Sequence, residues 1–248
     1  MDSQTIAAGT QAETESREHD HPPYLRHHFE TVEQQKEAGS FGMWLFLLTE
    51  IMFFGGLFMA YLLYRNWYYD AFVAGSNTLG IKLGTINTAV LIVSSFTMAM
   101  GVFCAETRNR KGLMLSLTLT ILLGLVFLGI KSVEYHEKYV DHHIPGASFS
   151  IDDFVHPKDA RDVALAPDTA EHTQLFFFLY FAMTGMHALH MIIGISILFV
   201  LLYKAWKGAY TEGHTTTIDN FGLYWHFVDI VWIFLFPLLY LISRHPLK

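Results

Sequence analysis

Residues 41–64 read Phe41-GMWLFLLTEIMFFGGLFMAYLL-Tyr64, an unbroken apolar run with one ionisable side chain, Glu50. At about 1.5 Å of rise per residue the run spans a ~30 Å hydrocarbon layer, and Glu50 falls roughly 14 Å in, near its middle. A carboxylate facing lipid at that depth is costly, so Glu50 is expected to be buried and in its neutral form, facing protein or a polar cavity. Gly42, Thr49, Gly56 and Ala60 fall on one stripe of the same helix, about a quarter turn from Glu50. Small residues in such a stripe are expected to admit a close neighbouring helix.

Four more apolar stretches follow, at about 83–104, 112–135, 174–203 and 221–243. With 52% hydrophobic residues and 15% aromatics gathered in these blocks, the chain reads as all-α, a polytopic bundle of five transmembrane helices. Residues 1–40 form a polar N-terminal segment, and 41–243 the membrane domain. The net charge of −7, with no basic face, argues against a nucleic-acid partner. The single cysteine, Cys104, has no partner for an internal disulfide and reads as a packed thiol.

Between the spans the polar segments differ. His19, His21, His27 and His28 lie in the N-terminal segment without regular ligand spacing, so a solvated tail is the plainer reading than a metal site. Residues 65–82 read as a short connector with the turn-prone Gly75-Ser76-Asn77, and Tyr64, Trp67, Tyr68 and Tyr69 as an interfacial aromatic belt. The longest loop, 136–173, holds His136, His142, His143, His156 and His172 among prolines and acids and suits a capping or partner-docking surface. Lys131 and Glu134 are spaced i, i+3, and Glu134 and Lys138 i, i+4; the expectation is ion pairing at the membrane edge, with Lys131 snorkelling to water. Pro237 is expected to kink the last helix.

The intramembrane polar residues Glu50, Glu134, His187, His190, His226 and Asp229 allow three readings. His187 or His190 opposite His226 would suit a b-type haem held between helices. Acids and histidines in a membrane also suit a proton-coupled transporter, although no internal repeat of the spans appears. A structural subunit would bind these groups to one another, to lipid or to a neighbour. Spacing alone leaves the last two open.

The motifs GMWLFLLTEIMFFGGLFMAY with Glu50, INTAVLIVSS, VEYHE with Glu134, GMHALHMIIG with His187 and His190, and YWHFVDIVWIFLF with His226 and Asp229 occur in this order, one on each span. In them the chain resembles subunit III of the haem-copper respiratory oxidases over nearly all of residues 41–243. The resemblance implies a subunit without a redox centre that packs on subunit I, alongside subunit II and small subunits or a respiratory supercomplex. Haem and copper would reside in those partners, and phospholipid would bind this chain. It implies support of proton uptake by a proton-pumping cytochrome c oxidase in aerobic respiration, with Glu50 the family's intramembrane glutamate. It further implies a bacterial cytoplasmic membrane, a cytoplasmic N-terminus, and the C-terminus on the electron-donor side.

The departures are specific. The resemblance begins at the third helix of seven-helix members, so their lipid cleft is not expected intact. Lys131 stands where many relatives have glutamine, and Ala188 where they have glycine. Five-helix quinol oxidases share the architecture but tend to carry aspartate at the position of Glu50, which favours cytochrome c as donor.

Overall fold

A computed structural model describes residues 29–146, 149–156, 164–208, 210 and 215–242; the N-terminal histidines fall outside them. Among the described residues every regular element is helical. Five helices are long and apolar enough to cross a membrane: α1 (Val32–Trp67), α3 (Ile81–Glu106), α4 (Arg110–Val140), α7 (Thr173–Trp206) and α8 (Thr216–Tyr240). Short helices α2 (Tyr69–Asn77), α5 (Asp152–Val155) and α6 (Pro167–Ala170) lie between them. Residues up to Trp44 form one compact unit and Leu45 onward another; the packing below is that of the second.

The core of the bundle is built around two tryptophans of α8. Trp225, fully buried, occupies the space left by Gly194 of α7 and Gly124 of α4: a Cβ on Gly194 would stand 2.9 Å from the indole, and one on Gly124 3.2 Å. Its Nε1 donates to Ser94 Oγ on α3 at 3.1 Å. One turn or two further on, Trp232 donates to Thr88 Oγ1 at 3.1 Å and meets Phe127 edge-on at 4.9 Å. Each indole therefore fills an apolar gap and satisfies its one donor, as a buried tryptophan must.

Helices α3 and α4 form a tight antiparallel pair. The turn works because Arg108 takes a positive φ of 55° and Asn109 caps α4, its side chain accepting from Gly112 N at 3.1 Å. Cys104 is buried there, close against Gly112. Deeper in the pair, Thr97 and Thr120 hydroxyls meet at 2.8 Å. The same end of the pair is tied to α7: Arg110 donates through Nε to Ala205 O at 3.1 Å and through Nη2 to Trp206 O, closing the C-terminus of α7 with a cation.

Two expectations need correction. The segment 65–82 is more than a connector, since it contains the nine-residue helix α2. Ala71, Phe72, Gly75 and Ser76 of α2 are buried; Gly75 admits the ring of Phe176, and Ser76 donates to Leu239 O at 2.7 Å. With Tyr61, which donates to Leu238 O at 2.8 Å, α2 satisfies carbonyls at the end of α8. Helix α8 runs on through Pro237 to Tyr240.

Second, the small-residue stripe of α1 does not admit a helix of this bundle: a Cβ on Gly56 would meet nothing within 4 Å. The inward face is instead Leu47, Phe54 and Tyr61, at seven-residue spacing, and these are the buried residues of α1. Large side chains reach across where small ones do not. Glu50 lies three residues after Leu47 and four before Phe54, hence on that inward face.

The loop after α4 begins at Asp141, because α4 extends to Val140. His143 is 3% exposed, stacked on Phe177 at 5.0 Å and flanked by Phe154 at 5.1 Å, and its Nε2 is 3.6 Å from Asp153. An aromatic cluster thus folds this part of the loop onto α7.

Candidate functional site

The intramembrane polar residues separate into three clusters, each joining different helices. In the first, Glu50 of α1 meets His190 of α7, Oε2 to Nε2, at 3.1 Å. His190 Nδ1 is 2.8 Å from Met186 O, and a carbonyl only accepts, so Nδ1 carries a hydrogen. Nε2 then has two arrangements open to it. It accepts from a neutral Glu50 carboxyl, or an imidazolium donates to the carboxylate. In both, the pair holds one proton between its two members. Phe54 covers the imidazole at 5.4 Å, and Tyr224 OH donates to His190 O at 2.8 Å. Glu50, expected to face protein or a polar cavity, faces His190, and its side chain is 19% exposed in this chain taken alone. The reason is that α1 meets the bundle along one face, and Glu50 sits at the edge of that contact.

The second cluster departs most from expectation. Lys131 does not snorkel: it is 2% exposed, and Glu134 is 1% exposed. Lys131 Nζ donates to Glu134 Oε2 at 3.0 Å, Tyr180 OH at 3.1 Å and Tyr240 OH at 3.0 Å, which uses all three ammonium hydrogens. Tyr180 OH in turn donates to Glu134 Oε1 at 2.8 Å, and Tyr240 OH donates to the same oxygen. Each hydroxyl accepts from the cation and donates to the anion, so the four groups form a closed hydrogen-bonded circuit. Trp232 and Tyr135 present ring faces to the ammonium at 5.1 and 5.3 Å. Lys138, expected to pair with Glu134, turns away to Thr78 O at 2.8 Å and lies 3.9 Å from Asp141. The three helices α4, α7 and α8 are pinned at this one place.

The third cluster lies between α3 and α8. Ser95 Oγ and His226 Nδ1 are 2.7 Å apart. Asp229, 2% exposed and one turn on, interacts with the same hydroxyl at longer range, while neither of its oxygens has a partner at hydrogen-bond distance. His187 stands apart from it, Nε2 on Val228 O at 3.1 Å and ring against Trp232 at 5.2 Å, with Nδ1 unpartnered.

The three histidines thus take three different partners, and the arrangement does not turn a pair of imidazoles toward a common iron. Among the described residues no group of three or more His, Cys, Asp or Glu stands close enough to hold a metal. Sequence reasoning missed Tyr180 and Tyr240. No spacing rule points to them, because each meets its partner from a helix far along the chain.

The pattern described as cytochrome c oxidase subunit III matches residues 21–157 and 169–244. A relative named cytochrome c oxidase subunit 3 from Gallus gallus is 32% identical over 227 residues, which covers 86% of this chain and 72% of the relative. Relatives of the same name from Alkalihalophilus pseudofirmus (29% over 202 residues, 82% and 85% covered) and Thermostichus vulcanus (30% over 204, 82% and 87%) are similar to it over comparable stretches. Such proteins are subunits of an oxidoreductase complex, and their function is exercised with other oxidase subunits. The chain, an integral membrane protein of five spanning helices, belongs to the cytochrome c oxidase subunit III family.

Proposed function

We propose that the chain packs on the catalytic subunit I of a proton-pumping cytochrome c oxidase, beside subunit II and small subunits or a supercomplex. There it stabilises the complex and supports proton uptake and lipid binding. Haem and copper belong to the partners. The observation that carries this reading is the two-sidedness of α1. Its inward face, Leu47, Phe54 and Tyr61, is used up within the chain, while Gly55, Gly56, Ile51, Met52 and Phe53 face outward. A smooth outward face with glycines accepts a closely packed helix of another subunit.

Glu50 supports the proton-related part. It shares one proton with His190, is partly exposed at the helix boundary, and is positioned to buffer protons beside a partner. The clusters at Lys131–Glu134 and Ser95–His226–Asp229 are interhelical ties. Glu50, where quinol oxidases tend to carry aspartate, supports cytochrome c as donor. The bilayer proposed is a bacterial cytoplasmic membrane with the N-terminus inside.

Purification of the tagged native chain in mild detergent, with mass spectrometry of every co-purifying polypeptide, tests the reading. A many-helix haem-copper subunit and a copper-carrying subunit II are expected. Recovery of the chain alone, folded and monodisperse, would overturn it and favour a self-sufficient transporter.

A further inference from the structure

At the Arg110 end of the bundle an outward-facing groove of about 360 Å³ runs between α4 and α7, lined by Met114, Thr118, Phe199, Leu202, Tyr203 and Trp206. Its floor is apolar. Thr118 donates its hydroxyl to Met114 O at 2.8 Å within its own helix and offers the groove no free donor. Its mouth is aromatic, with Tyr203 52% and Trp206 60% exposed, the side chains suited to the level of lipid headgroups.

The same mouth is basic. Lys111 is exposed one turn before Met114, on the same face of α4, and Lys207 follows Trp206, its ammonium 4.6 Å over the ring of Tyr203. Arg110 lies between, holding the end of α7. Among the described residues, α4 has no acid from Arg110 to Val133 and α7 none from Thr173 to Trp206. An apolar trough that ends in two aromatic rings and three cations matches an amphiphile with one apolar chain and a negative head.

We propose that this groove is a binding site for an anionic phospholipid, one acyl chain lying along Met114, Thr118, Phe199 and Leu202 and the phosphate held by Lys111 and Lys207. The site deepens the lipid-binding part of the function above and rests on it; it does not depend on which electron donor the oxidase uses. Each cation near a phosphate at a membrane surface contributes roughly a fivefold preference, and it does so for negative heads over zwitterionic ones.

The test uses the purified oxidase complex reconstituted in phosphatidylcholine bilayers, with Trp206 as reporter. Brominated phosphatidylglycerol or brominated phosphatidylcholine is added at equal low mole fraction, and the fluorescence quenching lost in Trp206→Phe is read. The expected result is a roughly 25-fold preference for the brominated phosphatidylglycerol, about fivefold from each of the two lysines. It should fall toward one in Lys111→Ser/Lys207→Ser while the co-purifying subunits stay the same. Equal quenching by both lipids in the unaltered complex overturns the proposal, as does a preference that survives the double substitution. Absence of quenching by either lipid also overturns it, and shows a protein surface over the groove. Loss of co-purifying subunits from the unaltered protein would instead count against the oxidase reading.

Discussion

Lys131 and Glu134 sit one turn apart on α4 at 3.0 Å, both removed from solvent, and the hydroxyls of Tyr180 and Tyr240 complete their hydrogen bonding. In a low-dielectric interior the mutual attraction of such a pair offsets its desolvation only while every donor and acceptor is matched. Removing one member therefore leaves an uncompensated charge. Glu134→Gln and Lys131→Met are each expected to lower stability by about 3–5 kcal/mol. Lys131→Met/Glu134→Gln should cost less than the sum, since it leaves no lone charge. Thermal unfolding of the purified complex across the four variants measures the coupling; strict additivity would contradict the circuit.

Glu50→Gln keeps a donor for His190 Nε2, whereas Glu50→Leu removes it. The first is expected to leave the yield of assembled oxidase unchanged within about twofold, and the second to lower the stability of the α1–α7 contact by about 1–3 kcal/mol. Because the pair holds one proton, the infrared difference between the unaltered protein and Glu50→Gln should contain either a protonated-carboxyl band or a carboxylate band paired with imidazolium, not carboxylate with neutral imidazole. Failure of Glu50→Gln to assemble would mean that the acid does more than bond and buffer.

Gly194→Ala pushes a methyl to 2.9 Å from Trp225, and Gly124→Ala to about the same ring at 3.2 Å. Both should destabilise, the former by about 1–3 kcal/mol as overpacking does. Gly129, also on α4, has nothing within 4 Å of such a methyl, so Gly129→Ala should be neutral or slightly stabilising. Melting temperatures of the three variants in one detergent give the comparison directly.

Ser95→Val strands His226 Nδ1 and takes away a hydroxyl that acts on Asp229. A loss of about 1–3 kcal/mol is expected. Asp229→Asn tests the other side of the cluster. If it leaves both stability and bound lipid unchanged, Asp229 contributes nothing to the tie between α3 and α8.

Five spans, their order and the i, i+3 placement of Lys131 with Glu134 were legible in the sequence, because length and helical period are local properties. Which way each helix turns was not. α1 carries two stripes, Gly42-Thr49-Gly56 and Leu47-Phe54-Tyr61, and apolar content does not separate a face against lipid from one against protein. The large residues turned inward. Lys131 was read as wet because a lone lysine near a helix end snorkels; what keeps it inside is two tyrosine hydroxyls, 49 and 109 residues away. In α2 the run Gly75-Ser76-Asn77 looks like a turn, yet Gly75 makes room for Phe176 and Ser76 closes the end of α8. Such partners exist only once the chain is folded.

Tyr240, which completes the circuit around Lys131 and Glu134, is the last residue of α8. Helix α8 follows α4 in the chain, so the charged pair of α4 gains its second tyrosine hydroxyl only when α8 packs beside it. Docking of α8 and neutralisation of a buried charge pair are thus one event.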